Sequence, residues 1–311
     1  MSPAAASPAA RVPAPSGAQH RIASGDQRAT VAEVGAMLRE YSVGGRDVVV
    51  PFAEDEVAPV FNGAVLVPWP NRLRDGVYTV DGEQQQLPVT EPDRSTALHG
   101  LGCWYRWSAV EVADDAVTLE LAIPAQKGWP FQLVSQVRYA LGDDGLTVTV
   151  RTHNAGAGTA PYGVGFHPWL STGGADLDDC TVRVDARTHV TVDDRLLPTG
   201  TEPVTGDFDL REPRSARGLD LDDAWLDPVR DEAGLAWVRL GCPDGRTPAV
   251  WMDSSMDCWQ VCTADHIPLH HRYGLAAEAM SCYADAFNTG DRLLRLSPGD
   301  VHEVRWGVTL L

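Results

Sequence analysis

The chain has few basic residues, and this shortage limits what it can bind. Its 311 residues include 25 Lys and Arg against 43 Asp and Glu, for a formal net charge of -18. Nucleic acids and anionic membrane surfaces attract proteins through concentrated positive charge, so both are poor partners for this chain. A polyanionic substrate is mildly disfavoured on the same grounds. The composition therefore favours a neutral small molecule as the ligand.

Long apolar runs and paired cysteines are also missing. No stretch approaches the roughly 20 apolar residues that span a bilayer. Residues 1–19 are rich in Ala, Pro and Ser without the apolar segment of a secretory signal, so we expect a disordered tail there and one domain over residues 20–311. The absence of a C-x-x-C pair argues against a disulfide framework and a zinc knuckle. We expect six buried thiols in a cytoplasmic protein, at Cys103, Cys180, Cys242, Cys258, Cys262 and Cys282.

Several common catalytic motifs are absent as well. The chain has no G-x-S-x-G nucleophile elbow and no G-x-x-x-x-G-K phosphate loop. The pair Gly163-Val-Gly165 lacks the third glycine of a dinucleotide-binding turn, and a His-Pro step follows where a helix would have to begin. Three histidines in segment 266–271 have a spacing that could suit a metal, but Pro268 breaks the helix that would align them. We therefore expect neither a metal nor a cofactor.

The hydrophobic pattern predicts an all-β protein. Apolar and polar residues alternate in segments 117–123 and 304–310, as in strands that bury one face. Turn signals are frequent, and the 29 glycines and 22 prolines suit many strands joined by tight turns. The fold class that this pattern favours is an all-β sandwich.

One segment permits two interpretations. The apolar residues at positions 31, 34, 38 and 41 have the i, i+3, i+7, i+10 spacing of an amphipathic helix. Gly35 interrupts that helix, and residues 48–50 would supply a following strand. From the residues alone, helix and strand are about equally favoured.

The segment from residue 67 to residue 100 is rich in turns that present polar side chains. Such turns are not needed to build a packed core. It begins with V-P-W-P-N-R, ending at Arg72, and closes with A-L-H-G, which contains His99. Two later segments have the same character. They are Y-G-V-G-F-H-P-W at residues 162–169 and A-A-E-A-M-S-C-Y-A-D-A-F-N-T-G-D at residues 276–291.

Together these segments resemble the aldose 1-epimerase family, and the resemblance extends over residues 22–311. It implies a large antiparallel β-sandwich of the galactose mutarotase type, with strands in place of the helix near residues 31–41. It also implies an enzyme that interconverts the α and β anomers of an aldohexose without a cofactor. This reaction needs a base for the C1 hydroxyl and an acid for the ring oxygen, a sugar's width apart. A carboxylate and a histidine meet that need.

Glu278 is the predicted base. It lies in an otherwise small and apolar run, L-A-A-E-A-M, where desolvation should raise the pKa of the carboxyl group toward a useful range. The alternative is an outward-facing glutamate on an edge strand. The resemblance favours the base, because residues 278–290 match the family segment that carries it, with Ala279 where proline is common.

His167 is the predicted acid. Pro168 imposes an extended or turn conformation on it, and Gly163 and Gly165 would let the backbone approach a ligand closely. A lone histidine is otherwise most often a buried core residue. The resemblance assigns to His167 the protonation of the ring oxygen.

The predicted substrate-binding residues depend on the resemblance more than on their spacing. An arginine supplies a fixed fork of donors to sugar hydroxyls, and a tryptophan packs against the C–H face of a pyranose. Whether the family aspartate corresponds to Asp222 or to Asp223 is open, and Asp222 is the better match. The residues implied are Asn71, Arg72, His99, Trp169 and Asp222.

Two other functions would use much of the same sequence. A hexose-6-phosphate or other acidic-sugar 1-epimerase would share the chemistry but would need additional Arg or Lys for the anionic group. A non-catalytic sugar-binding or regulatory protein would share the fold. Retention of both Glu278 and His167 speaks against that second alternative.

Overall fold

The structure is a computed structural model that describes residues 14–311. The described residues form 27 β strands and one short α helix. The strands of the first half are β1 (Gln19–Ser24), β2 (Gln27–Ala32), β3 (Leu38–Val43), β4 (Arg46–Asp47), β5 (Val65–Leu66), β6 (Arg72–Arg74), β7 (Val77–Val80), β8 (Glu83–Gln86), β9 (Thr96–Leu98), β10 (Ser108–Val112), β11 (Ala116–Ile123), β12 (Leu133–Gly142) and β13 (Gly145–Asn154).

The strands of the second half are β14 (Ala160–Tyr162), β15 (Gly165–Phe166), β16 (Trp169–Leu170), β17 (Thr181–Val184), β18 (Ala186–Val192), β19 (Pro198–Pro203), β20 (Arg214–Ser215), β21 (Asp222–Pro228), β22 (Ala236–Gly241), β23 (Pro248–Met252), β24 (Cys258–Cys262), β25 (Leu275–Met280), β26 (Leu294–Leu296) and β27 (Val301–Leu310). Helix α1 is Ala286–Thr289. Short 3-10 turns cover Pro59–Phe61, Pro92–Arg94, Gly102–Trp104, Leu177–Asp179, Gly206–Phe208 and Pro268–His270.

Two large antiparallel sheets make up most of the fold. One has nine strands in the order β10-β11-β12-β13-β27-β23-β22-β17-β20. The other has eight, in the order β19-β18-β21-β24-β25-β15-β5, with β16 also pairing with β25. Phe166 of the second sheet contacts Trp306 of the first, with ring centroids 4.8 Å apart, so the core lies between the two sheets. The predicted all-β sandwich is confirmed.

Side-chain alternation explains why these segments are strands. Residues along β12 alternate between buried and more exposed positions over its ten residues, as expected for a strand with one face on the core. The alternating segments 117–123 and 304–310 lie within β11 and β27. Smaller sheets, including the four-stranded β1-β2-β3-β4, complete the fold.

The ambiguous segment near residue 35 forms strands, and the helical interpretation is wrong. Val31 pairs with Leu38 in the β2–β3 hairpin. Between them, Gly35 and Ala36 have φ values of 69° and 47°, which no right-handed helix contains. The strand predicted at residues 48–50 is misplaced, because the pairing strand β4 comes just before it and Val49 forms only an isolated bridge.

The domain begins earlier than predicted. Residues 1–13, most of the predicted tail, lie outside the described residues. Ser16, which lies within the predicted tail, is buried, and its Oγ donates a hydrogen bond to the carbonyl of Glu54 at 2.6 Å. Gln19 already begins β1. Residues 16–19 therefore belong with the domain.

The cysteines and the lengths of the helices bear on two further predictions. All six cysteines are free thiols and all are buried, as predicted. Within residues 14–311, no helix is long and apolar enough to cross a bilayer.

Candidate active site

One cavity is lined by every residue that the sequence predicted for the site. Its volume is about 360 Å³, which lies in the range of small-molecule sites. The chain brings these side chains together from positions up to 207 residues apart, so the fold alone makes them neighbours. The predicted residues that line it are Asn71, Arg72, His99, His167, Trp169, Asp222 and Glu278.

Glu278 lies on an interior strand. β25 pairs with β24 on one side and with β15 and β16 on the other, and all six of its residues are buried. Glu278 is only 2% exposed. Burial raises the pKa of its carboxyl group well above the ordinary value, and the carboxylate of Asp222 acts in the same direction. The alternative of an outward-facing glutamate on an edge strand is excluded.

His167 lies directly beside Glu278. Its Nε2 is 3.4 Å from Oε1 of Glu278. Burial lowers the pKa of His167 to about 4, while it raises that of Glu278. Burial therefore favours the uncharged form of each group. In the state with both groups uncharged, the pair carries one ionisable proton, which lies on Glu278.

The separation of Glu278 and His167 corrects one expectation. The chemistry predicts an acid and a base a sugar's width apart, but the structure places Glu278 and His167 3.4 Å apart. The C1 hydroxyl oxygen and the ring oxygen of a pyranose are bonded to the same carbon, so two groups that exchange protons with them can themselves be neighbours.

Backbone hydrogen bonds position His167. Its N–H donates to the carbonyl of Ala64 at 3.1 Å, and its carbonyl accepts from the N–H of Gly63 at 2.8 Å. These contacts fix the residue between β15 and β16, where Pro168 keeps the chain extended. The ring of Trp169 stacks on the imidazole with centroids 5.7 Å apart.

Gly163 and Gly165 pack against protein and not against a ligand, so their predicted role is wrong. A Cβ atom at Gly165 would lie 2.7 Å from Cβ of Pro70, and one at Gly163 would lie 2.4 Å from Sγ of Cys282. Neither glycine lines the cavity. They allow the segment before His167 to approach the loop that carries Asn71 and Arg72.

His99 is held as a neutral hydrogen-bond donor. The N–H of Asn71 donates to its Nδ1 at 3.2 Å, so the ring proton resides on Nε2. Burial lowers the pKa of His99 well below its ordinary value, with His167 and Arg72 acting in the same direction. Asn71 and His99 both have positive φ, 58° and 63°, the kind of backbone strain that functional sites retain.

Arg72 is fixed by Glu91, which the sequence argument missed. Nε and Nη2 of Arg72 donate to the two oxygens of Glu91 at 2.9 and 3.0 Å, a bidentate arrangement. Thr96 donates to the same carboxylate at 2.6 Å. Arg72 Nη2 also lies 3.4 Å from Oδ2 of Asp222. The position of Glu91 within segment 67–100 is its one sequence signal.

Asp222 faces the cavity, whereas Asp223 points away from it. Successive residues of β21 face opposite sides of the sheet, and Asp223 contacts Nε2 of His189 at 2.8 Å on the other side. Oδ1 of Asp222 accepts a hydrogen bond from Gln260 at 2.7 Å. Gln260, opposite Glu278 in the β24–β25 register, was also missed.

Phe61 contributes an aromatic ring to the wall of the cavity, and no sequence pattern predicts this role. Its ring centroid lies 4.6 Å from that of His99 and 6.2 Å from that of His167. Trp169 also lines the cavity, as predicted, whereas Trp69 packs in the core. Phe61 and Trp169 form an apolar wall around the two imidazoles.

The described residues include one group that could hold a metal ion. Ligand atoms of Asp222, Cys262 and His266 lie within 4.8 Å of one another. This group differs from the histidines of segment 266–271, because only His266 of those three lines the cavity. Asp222 is already hydrogen-bonded by Gln260, so an ion here would compete with contacts that exist in the site.

Comparisons with known proteins agree with this geometry. The family model described as Aldose 1-epimerase matches residues 19–309. The uncharacterized protein YihR of Escherichia coli (strain K12) is 33% identical over 294 residues, which cover 94% of this chain and 93% of YihR. Galactose mutarotase of Rattus norvegicus is 32% identical over 179 residues, which cover 54% of this chain and 51% of that protein.

Solved structures show the same fold. A GalM/aldose epimerase homologue from C. elegans has a TM-score of 0.83 and 19% identity, covering 94% of this chain and 98% of its own. The β sandwich is therefore of the galactose mutarotase-like type, as predicted. With the family model matched over nearly its whole length, the chain belongs to the aldose 1-epimerase family.

Proposed function

We propose that this protein is an aldose 1-epimerase that interconverts the α and β anomers of an aldohexose. The observation that carries the proposal is the contact between Glu278 and His167, 3.4 Å apart in the wall of a cavity of about 360 Å³. Family membership supports the same chemistry. A non-catalytic binding protein would have no use for two buried groups whose pKa values are shifted in opposite directions.

Glu278 acts as the base and His167 as the acid. Glu278 takes the proton from the C1 hydroxyl while His167 gives a proton to the ring oxygen, and the hemiacetal opens. The C1–C2 bond then rotates. Reverse transfers close the ring on the other face, so the pair regains its starting state without a metal or cofactor.

The charge states of Glu278 and His167 determine which proton transfer starts the reaction and which intermediate the site stabilises. Before ring opening, one proton must pass from Glu278 to His167. Burial opposes this transfer, but the carboxylate of Asp222 raises the pKa of His167 and assists it. After ring opening, Glu278 is protonated and His167 is neutral, which are the forms that burial favours. The site therefore stabilises the open-chain intermediate relative to the ionised pair.

The remaining residues hold the sugar. His99 offers its Nε2 proton beside His167, with ring centroids 5.2 Å apart, and is placed to donate to the ring oxygen. Arg72, held by Glu91, supplies donors to hydroxyls, and Asp222 accepts from them. Asn71 contributes through its contact with His99.

A polarimetric assay tests the proposal. We expect the protein to accelerate the mutarotation of freshly dissolved α-D-glucose or α-D-galactose well beyond the buffer rate, with the same final rotation. The same final rotation is required because an epimerase changes the rate and not the equilibrium. If no aldose in a panel of hexoses and pentoses equilibrates faster than in buffer, the catalytic proposal fails and sugar binding without catalysis is favoured.

One observation favours an acidic sugar as a second candidate substrate. Arg94 lines the cavity, and its Nη1 forms an ion pair with Oε1 of Glu91 at 3.7 Å, a distance too long for a hydrogen bond. Glu91 is already engaged by Arg72. Nε of Arg94 is buried and has no hydrogen-bond partner among the described residues. A phosphate, sulfonate or carboxylate on the sugar would be a fitting partner for this guanidinium.

The variant Arg94→Gln tests whether this arginine recognises an acidic group, by comparing kcat/KM for neutral and acidic sugars. We expect kcat/KM for glucose or galactose to stay within about twofold, whereas kcat/KM for glucose 6-phosphate or glucuronate falls about tenfold, the value of one charged hydrogen bond. Arg295→Gln, at an exposed site on β26, is the matched control. An equal loss for neutral and acidic sugars would show that Arg94 does not recognise an anionic group.

A further inference from the structure

Two cysteines remote in sequence lie directly opposite each other in the nine-stranded sheet. β17 and β22 pair antiparallel, with Thr181 opposite Gly241 and Val182 opposite Leu240. Extending this register by one position places Cys180 opposite Cys242. Both are buried, on the same core-facing side as Val182 and Leu240.

The backbone hydrogen bonds identify the geometry of this pair. The N–H of Cys180 donates to Leu177 and its carbonyl accepts from Ala216, at 3.0 and 2.9 Å. The N–H of Cys242 donates to Arg246, and its carbonyl accepts from Gly245. Cys180 and Cys242 therefore form a pair without mutual backbone hydrogen bonds.

A pair of this type brings the two side chains into reach of a covalent bond. Opposed residues without mutual hydrogen bonds have Cα atoms about 4.5 Å apart. This lies at the lower end of the range that disulfides span, about 4.4 to 6.8 Å. Contact with the Cys180 thiol lowers the pKa of Cys242, while Cys180 keeps the higher pKa of the two. Cys242 is also the more exposed of the two, at 8% against 1%, so it is the sulfur that an incoming reagent meets first and the nucleophile of the pair.

The surroundings of Cys242 act in both directions: its thiol donates to the carbonyls of Ser171 and Leu240, at 3.9 and 3.7 Å, whereas one charged neighbour favours the thiolate. The guanidinium of Arg46 acts on the Cys242 thiol in the direction of the thiolate. Nε of Arg46 pairs with Asp244 at 3.2 Å, but Nη2 is buried without a hydrogen-bond partner among the described residues. A Cβ atom at Gly173 would lie 2.0 Å from Nη1 of Arg46, so this glycine leaves room for the guanidinium. Cys242 is also followed by a surface turn, residues 243–246.

We propose that Cys180 and Cys242 are a dithiol site that closes to a reversible disulfide on reaction with a small-molecule disulfide. The thiolate of Cys242 attacks one sulfur of the reagent, forms a mixed disulfide and releases one thiolate. Cys180 then gives up its proton and attacks the Cys242 sulfur, which releases the second small thiol. The protein loses two electrons and two protons, and the reagent is reduced to two thiols.

Mass spectrometry of the full-length protein tests this assignment. After incubation with excess oxidised glutathione, we expect the intact mass to fall by about 2 Da. Peptide mapping without reductant should show one cross-link, between Cys180 and Cys242. The oxidised protein should melt about 3 °C or more above the reduced one, because the bond closes a long loop, and a thiol reductant should reverse the change.

Single substitutions then identify the attacking sulfur. Cys180→Ser should accumulate one glutathione on Cys242, whereas Cys242→Ser should resist both modification and cross-linking at this site. Cys103→Ser, which replaces a buried cysteine of a separate cluster, is the matched control and should still lose about 2 Da. An unchanged mass in the wild-type protein, a stable mixed disulfide without closure, or a cross-link between other cysteines would each overturn the proposal.

Discussion

Glu278→Gln is expected to lower kcat/KM for anomer interconversion by about 10³-fold, within the range that general acid–base groups contribute. The amide has nearly the shape of the carboxyl group but cannot take a proton from the C1 hydroxyl. Because burial already favours the uncharged carboxyl group, the amide imposes no new charge or volume. The variant should therefore fold with an unchanged or slightly higher melting temperature.

The structure indicates why stability and activity separate at this position. Oε2 of Glu278 has no hydrogen-bond partner among the described residues, so replacing it with an amide nitrogen breaks no bond of the unliganded protein. Glu303→Gln, at an exposed site on β27, is the matched control and should retain full activity. Polarimetry and a thermal melt measure both quantities. Activity of Glu278→Gln within tenfold of wild type would remove Glu278 from the role of base.

His167→Gln is the second substitution with a large expected effect. We expect kcat to fall about 10²-fold, because glutamine keeps a polar side chain but cannot deliver a proton to the ring oxygen. KM should change less, since Arg72 and Asp222 would still bind the hydroxyls. A loss confined to KM, with kcat intact, would make His167 a binding residue and not the acid.

The pH dependence of kcat/KM checks the same pair. The reactive free enzyme carries one proton on Glu278 and His167 together. Acid adds a second proton when the pH falls through the pKa of His167, about 4, and base removes the shared proton when the pH rises through the raised pKa of Glu278. Activity should therefore decline on the acid side near pH 4, and its basic limit should lie above the ordinary range of a glutamate carboxyl group.

With ordinary pKa values the profile would differ. The one-proton state would then be confined between the pKa values of an unperturbed glutamate and histidine, with a maximum at roughly pH 5 to 6. A maximum there for the wild-type protein would contradict the opposed shifts caused by burial. In His167→Gln, the acid limb near pH 4 should disappear.

The fold class was predictable because strand alternation is a local property. In segments 117–123 and 304–310, the alternation of apolar and polar residues is enough to predict a strand, and both lie in strands. The misplaced strand at residues 48–50 shows the limit of this argument. Three valines favour a strand locally, but pairing depends on the partner, and β4 formed two residues earlier against β3.

The predicted site residues could be named because each lies in a recognisable segment, but their contacts could not. Arg72 and Asp222 are separated by 150 positions in the chain and meet only through the fold. Gln260 and Phe61 carry no local pattern that distinguishes them from ordinary surface or core residues, and Glu91 has only its position within segment 67–100. Glycines beside His167 were misinterpreted for a related reason, since the sequence does not say which atoms approach them.

Segment 67–100, with the later segments around His167 and Glu278, was enough to indicate the family and the two groups able to exchange protons. Residue type settles whether a side chain can accept or donate a proton, and that information is local. Tertiary structure decided that Asp222 and not Asp223 faces the cavity, that Glu278 and His167 are 3.4 Å apart, and that their pKa values shift in opposite directions. Desolvation produces those shifts, and desolvation depends on every strand packed around the pair.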